Sequence, residues 1–271
     1  MPPADPLVTD DPRALRDLAA VLAVDAGRVA FAGRRSEPPA SDLRSDTKSS
    51  LTDIVTSFDR AAEATIVDAL QRARPDDAVV GEEGADRSGT SGYAWVIDPI
   101  DGTTNFVYDL PAWCCSIAVA HEGRTVAGAV YVPALDELFA AAEGAGATMN
   151  GQPISPSAEI VLGRALVATG FSYDADRRRE HAAGIARIIG DVRDIRRMGS
   201  AAVDLCFVAA GRVDVYLERN LNLWDMAAGE LIAREAGAIT SDFAGGPIRP
   251  DETLACAPGL HGAVVELLAR L

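Results

Sequence analysis

The sequence predicts a mixed fold, α+β through its first half and α/β through its second. Three observations carry that reading. Two long helical periods come first, short apolar runs ending in a hairpin pattern follow, and strand and helix patterns then alternate to the end of the chain. Residues 13–31 place apolar side chains at helical spacing, and residues 33–46 are polar and contain proline, which reads as a mobile loop. Residues 59–74 read as a second helix, with Phe58, Ala62, Ile66, Ala69 and Leu70 toward the core. Apolar runs at 94–97, 114–120, 126–132 and 137–142 read as strands, the last two forming the hairpin.

A glycine-rich stretch, 143–151, separates the halves, so the expected division is an N-terminal α+β half over 1–145 and a C-terminal α/β half over 146–271. In the second half, strand patterns at 165–169, 213–217, 238–240 and 253–256 interleave with helical patterns at 177–189, 201–210, 226–236 and 259–268. The chain shows no internal repeat. Gly144-Ala-Gly-Ala147 lacks the Gly-Lys-Ser/Thr that cradles nucleotide phosphates, which argues against a P-loop.

A chain of 271 residues is long enough for one large domain or two closely packed ones. Its 25 basic and 40 acidic residues leave a net charge of −15, which disfavours direct binding to nucleic acid or an anionic membrane. The same charge repels a phosphate ester unless a metal or a local basic group offsets it. Cys114, Cys115, Cys206 and Cys256 lie in apolar stretches without zinc spacing or a secretory framework, and read as buried thiols. The N-terminus lacks the blocks of a signal peptide, and no apolar run reaches the ~18 residues of a membrane span. A cytoplasmic enzyme without a membrane partner is the expectation. None of the three histidines sits in a motif, so histidine-nucleophile and zinc chemistry have little support.

The chemistry concentrates at Asp98-Pro-Ile-Asp101-Gly-Thr-Thr-Asn-Phe106, where two carboxylates three residues apart follow the apolar run Trp95-Val-Ile97. A strand ending at Ile97, a φ fixed by Pro99 and a turn at Asp101-Gly102 would let both carboxylates face one point, with the Ile100 carbonyl as a further oxygen ligand. That donor set suits magnesium. An ordinary turn explains the same residues. Gly81-Glu82-Glu83-Gly84 repeats the arrangement after an apolar run, and reads as a ligand loop or as a solvated one. Asp225 opens a helical pattern and is either a ligand or a helix N-cap. Three acidic loop sites, each just past an apolar run, favour the joint functional reading.

Lys48-Ser-Ser-Leu-Thr-Asp53-Ile-Val-Thr56-Ser-Phe-Asp59, Gly81-Glu-Glu83, Trp95-Val-Ile-Asp-Pro-Ile-Asp-Gly-Thr-Thr-Asn-Phe106 and Leu223-Trp-Asp-Met-Ala-Ala-Gly229 resemble the inositol monophosphatase family of metal-dependent sugar-phosphate phosphatases. Their order and spacing match across nearly the whole chain. The resemblance implies a layered αβαβα sandwich with the site between its halves, a homodimer, and inhibition by lithium. Phosphate-ester cleavage can be served by two magnesium ions ~4 Å apart. By resemblance, Glu82, Asp98 and the Ile100 carbonyl bind the first, Asp98, Asp101 and Asp225 the second, and a third, weaker ion sits at Glu82. Thr103 shares a proton network with Asp59, which orients and deprotonates the attacking water. Asp59 also reads as a helix N-cap, and Thr56 as local capping chemistry. Backbone amides of Gly102, Thr103 and Thr104 would meet phosphate oxygens.

Substrate choice falls, by the same resemblance, to Gly199-Ser200-Ala201 and Glu218, with Asp101 and Asp225 also facing the substrate. A glutamate that pairs hydroxyls penalises substrates lacking them. Glu218 otherwise reads as a surface acid at a strand end. Lys48, Asp53 and Glu83 are further candidates, and Arg196 and Arg197 either steer anions or sit on the surface. The expected activity is Mg²⁺-dependent hydrolysis of a small polyol monophosphate, first myo-inositol 1-phosphate. Histidinol phosphate is the alternative, followed by fructose 1,6-bisphosphate and 3'-phosphoadenosine nucleotides. A role of another class stays open, as an interaction protein of the transcription and ribosome-assembly machinery.

Overall fold

The computed structural model describes residues 10–36, 45–47 and 54–270. Lys48, Asp53 and most of the expected loop at 33–46 lie outside the described residues.

Helix α1 (Pro12–Ser36) runs one turn further than its periodicity suggested, so Gly33 to Ser36 are helical rather than loop. Short strands β1 (Ser45–Thr47) and β2 (Ile54–Thr56) pair antiparallel and lead into α2 (Ser57–Ala73). The first large sheet has seven strands in the order β3 (Ala78–Gly81), β4 (Tyr93–Asp101), β5 (Cys114–His121), β6 (Arg124–Val132), β7 (Glu137–Ala142), β8 (Ala147–Met149) and β9 (Gln152–Pro153). Only β3 and β4 run parallel there, and β6 and β7 form the expected hairpin. Helix α3 (Thr103–Val107) is a short turn after β4.

The second sheet has five strands, built from β10 (Leu166–Thr169), β11 (Asp194–Arg196), β12 (Val215–Arg219), β13 (Ile239–Ser241) and β14 (Glu252–Cys256), in the order β11-β10-β12-β14-β13. Helices α4 (Ala175–Ile188), α5 (Ala201–Ala209), α6 (Leu223–Ala236) and α7 (His261–Leu268) connect or flank these strands. Strand β11 has no counterpart in the sequence reading, because three residues, two of them charged, carry no apolar pattern.

Alternation along the strands sorts the side chains into layers. Trp95, Ile97, Cys115, Ile117 and Val119 face α1 and α2, together with Leu18, Leu22, Ile66 and Leu70. Val96, Cys114, Ala118 and Phe139 point the other way, onto Leu205, Leu231 and Ile232 of α5 and α6, which also cover Ala168, Tyr216 and Ala255 of the second sheet. The far face of that sheet, with Val167, Val215 and Leu254, packs on Ile188, Val264 and Leu267 of α4 and α7. The result is an αβαβα sandwich. All four cysteines are buried and free, and Trp113 belongs to the core. Among the described residues no helix is long and apolar enough to cross a membrane.

Candidate active site

Strand β4 builds the site by breaking its own register. Asp98 pairs with Ser116 and Asp101 with Cys114, so three steps on β4 match two on β5. In a regular strand residues three apart point to opposite faces; the extra residue of a β-bulge turns both carboxylates toward one side. Pro99, which lacks an N–H, sits where the ladder is already interrupted. The Ile100 N–H donates to Asp98 Oδ1 at 3.1 Å, which closes the turn. Gly102 follows at φ 95°, and a Cβ there would lie 3.0 Å from the Ala112 carbonyl oxygen and 3.1 Å from that of Gly199. Backbone conformation and crowding both call for glycine.

Asp225 arrives from the other half. Helix α6 starts at Leu223, three residues earlier than the pattern suggested, with Asn222 as N-cap. Asp225 is therefore not the cap but the third residue of a capping box, its Oδ2 accepting the Asn222 N–H at 2.6 Å. Asp98, Asp101 and Asp225 each place an oxygen within 4.8 Å of the others. Glu82 stands outside that trio but lines the same cleft, with Ile100, Gly102, Thr103 and Glu218.

Such crowding shifts the carboxyl groups strongly. Burial, then Glu82, Asp101 and Asp225, push Asp98 well above the carboxylate range. Burial pushes Asp101 up to about 7, against hydrogen bonds from Ser200 and Ala202, and burial with Asp101 pushes Asp225 up to about 8. Glu218 is pushed up to about 7, again chiefly by burial. The cleft, about 400 Å³, has Arg177 as its basic side chain. Crowded acids with this little compensation could hold a hard cation: oxygen donors converge there, and a cation would relieve their repulsion.

Asp59 shows how one residue carries two roles. Thr56 is the N-cap of α2, and its N–H and hydroxyl donate to Asp59 Oδ2 at 2.8 and 2.5 Å. Asp59 is thus the reciprocal member of a capping box rather than the cap itself. Its other oxygen, Oδ1, lies 3.4 Å from the Thr103 hydroxyl, which also reaches the Ile100 carbonyl at 3.1 Å. Burial pushes Asp59 up to about 6 in spite of the Thr56 bonds.

The remaining expected residues divide. Ser200 caps α5, and its hydroxyl donates to Asp101 Oδ2 at 2.6 Å, with the Ala202 N–H adding a bond of 2.8 Å. The Ser200 side chain is thereby engaged with a carboxylate. Gly199, Ser200, Ala201 and Glu218 line an alcove of about 80 Å³ beside Asp101 and Asp225. Glu218 accepts the Tyr216 hydroxyl at 2.8 Å. Arg197 lines the alcove as well, whereas Arg196 pairs with Asp194 at the surface. Glu83 presents its N–H to Glu63 Oε2 at 2.9 Å.

Sequence reading missed several supports. Glu63, one turn beyond Asp59 on α2, also accepts the Ala85 N–H at 3.0 Å and so pins the segment that follows Glu82. Asn105 donates to the Ala112 and Met198 carbonyls at 2.5 and 2.7 Å, tying α3 to the Gly199 segment. Gly170 leaves room for Glu218, whose Oε2 would lie 1.9 Å from a Cβ there. The helical spacing of Asp59 and Glu63 was a usable signal. The other two depend on contacts across the fold.

A bulged strand that gathers acids from both halves of an αβαβα sandwich gives an arrangement that could hold a cation, as a metal-dependent phosphoesterase requires. The chain belongs to the inositol monophosphatase family, which matches it over residues 12–271. It is 41% identical over 278 residues to the inositol-1-monophosphatase of Mycobacterium leprae, covering 96% of this chain and 95% of that protein. It is 47% identical over 199 residues to the Nus factor SuhB of Salmonella typhimurium, covering 72% of this chain and 73% of that one. The crystal structure of the extragenic suppressor protein suhB from Bartonella henselae superposes with a TM-score of 0.88 at 35% identity, over 94% of this chain and 98% of that one. Members of the family are metal-dependent and act on phosphate esters.

Proposed function

We propose that this chain is a Mg²⁺-dependent phosphatase of small polyol monophosphates, with myo-inositol 1-phosphate as its substrate. The supporting observation is the meeting of Asp98, Asp101 and Asp225 within 4.8 Å, in a cleft that also holds Thr103 and Glu218. Residues 1–145 supply most metal ligands in this reading, and residues 146–271 supply Asp225 and the substrate-reading groups. Glu82, Asp98 and the Ile100 carbonyl would hold one ion, Asp98, Asp101 and Asp225 a second, and Glu82 a third, weaker one. Magnesium held there would supply charge neutralisation for the phosphoryl and leaving oxygens and a lowered pKa for a bound water.

The side chains do the rest. Because Asp59 Oδ2 is occupied by Thr56, Oδ1 is the oxygen that takes the Thr103 proton. A Thr103 hydroxyl donating to Asp59 turns its lone pairs outward, to accept from the attacking water. With its carboxyl pushed up to about 6, Asp59 is a base matched to near-neutral pH. Amides of Gly102, Thr103 and Thr104 orient the phosphate. Glu218 and the 199–201 segment receive the ring hydroxyls.

The test is phosphate release from myo-inositol 1-phosphate, histidinol phosphate, fructose 1,6-bisphosphate and 3'-phosphoadenosine 5'-phosphate, with Mg²⁺ and with chelator. The proposal expects inositol phosphate to lead by ~100-fold in kcat/KM, about 3 kcal/mol. Preference for histidinol phosphate refutes the substrate, and absence of Mg²⁺-dependent release refutes the activity. A second reading rests on relatives that bear the name Nus factor SuhB: a role through a protein partner. That role would survive Asp98→Asn, and hydrolysis would not. A homodimer is the proposed working form, to be checked by sedimentation.

A further inference from the structure

Asp204 lies outside the residues expected near the substrate. It sits on α5, one turn after Ser200, and is 1% exposed. Neither carboxyl oxygen has a hydrogen-bond partner among the described residues. A buried carboxyl left wholly unpaired is costly, and proteins keep few of them. Asp204 lines the alcove of about 80 Å³ that opens beside the acid trio, together with Gly199, Glu218 and Asp225.

The composition of that alcove is selective. Asp101, Asp204, Glu218 and Asp225 supply four carboxyl groups, and Arg197 is the basic side chain among its lining residues. Burial holds the Asp204 carboxyl well above the usual carboxylate range, Glu218 adds to that, and Arg197 acts the other way on both groups. Tyr216 occupies Glu218 Oε2, whereas among the described residues no group hydrogen-bonds to Asp204. Such a lining accepts hydrogen bonds and repels a second phosphate.

Resting on the phosphatase reading above, we infer that Asp204 is a specificity residue: its unpaired carboxyl receives hydrogen-bond donors of the substrate's alcohol part, beyond the phosphate-bearing carbon. The donors can be polyol hydroxyls or an ammonium group. Binding such a substrate meets the acceptors that the free protein leaves unmet, whereas an alcohol without donors does not. The alcove therefore selects donor-rich monophosphates and rejects bisphosphates.

The experiment compares wild type, Asp204→Leu and Asp204→Asn on myo-inositol 1-phosphate, histidinol phosphate and cyclohexyl phosphate, a ring ester without donors, all with Mg²⁺. Leucine has the shape of aspartate without its unpaired oxygens, so Asp204→Leu should fold with an unchanged or raised thermal midpoint. It should lower kcat/KM for the preferred donor-bearing substrate by about 10- to 100-fold while leaving cyclohexyl phosphate within about threefold. Asn retains one acceptor oxygen and replaces the other with an amide donor. It should spare inositol phosphate more than histidinol phosphate if hydroxyls are the natural donors, and fail with both if an ammonium is. Equal losses on all three esters, or no loss on any, overturn the role of Asp204 and leave the phosphatase standing. A wild type inactive on all three overturns the phosphatase reading, and this role with it.

Discussion

Replacing Glu63 by alanine tests how the acidic loop is held. Its carboxylate, 3% exposed, accepts the N–H groups of Glu83 and Ala85 at 2.9 and 3.0 Å. It lies over Gly81, where a Cβ would come within 2.3 Å of Oε2. The backbone just after Glu82 is thus held by Glu63, which also packs against Gly81 just before it. A hydrogen bond to a charged group contributes about 1.5–3 kcal/mol, so two set a ceiling of about 6 kcal/mol. Two effects reduce it. Burial holds the Glu63 carboxyl above its ordinary range in spite of both bonds, so truncation also removes a desolvation cost. Glu83 and Ala85 are only half-buried, so water can reach the freed N–H groups. The expected loss is about 2 kcal/mol by urea denaturation in chelator. Groups that orient metal ligands also tune affinity, so the Mg²⁺ titration midpoint should rise about tenfold. At saturating Mg²⁺ that adds about 1.4 kcal/mol to the difference. An unchanged urea midpoint together with an unchanged Mg²⁺ titration would refute the argument. Glu63→Gln, which keeps one acceptor, should fall between.

Asp98→Asn should lower Mg²⁺-dependent turnover roughly a thousandfold. In chelator it should be at least as stable as wild type by thermal melting, because it removes a charge that Glu82, Asp101 and Asp225 repel; a destabilised variant would contradict the repulsion. Stability in chelator should fall with rising pH. Asp59, Asp101, Glu218 and Asp225 are pushed up to about 6, 7, 7 and 8, so each holds its proton more tightly folded than unfolded. The stability they confer is full below their unfolded values and is lost as pH rises through those folded values, with a slope of about 1.4 kcal/mol per pH unit for each group titrating in the interval. Mg²⁺, which competes with those protons, should flatten the fall, and a melting midpoint that rises with pH in chelator would be incompatible with buried, crowded acids. Gly102→Ala should cost about 1–2 kcal/mol for the left-handed conformation. It should also weaken Mg²⁺ binding measured by calorimetry, since the new Cβ meets the Ala112 and Gly199 carbonyls.

Much of the fold was legible because it is local. The helical period of α1 and α2 and the alternation of β4 to β7 follow from which faces must be dry, and the observed elements match them to within a few residues. Boundaries failed where caps decided them. Asp59 and Asp225 both read as N-caps, but each is the third residue of a capping box, with Thr56 and Asn222 three positions earlier. Strand β11 was invisible, since pairing with β10 and not its own composition makes it a strand.

The sequence by itself determined the spacing of the acids, their position after apolar runs, the negative charge that a metal or a local basic group must offset for an anionic substrate, and the family signature. Such information is carried by neighbours along the chain. Only the tertiary structure decided that the β4 bulge turns Asp98 and Asp101 to one side, that Asp225 meets them within 4.8 Å, and that Ser200 holds Asp101 across 99 positions of sequence. It alone decided that Asp204 has no hydrogen-bond partner among the described residues. The physical reason is that hydrogen bonding and desolvation depend on distance in space. A carboxylate finds its partners, or lacks them, only once the two sheets have closed on α5 and α6.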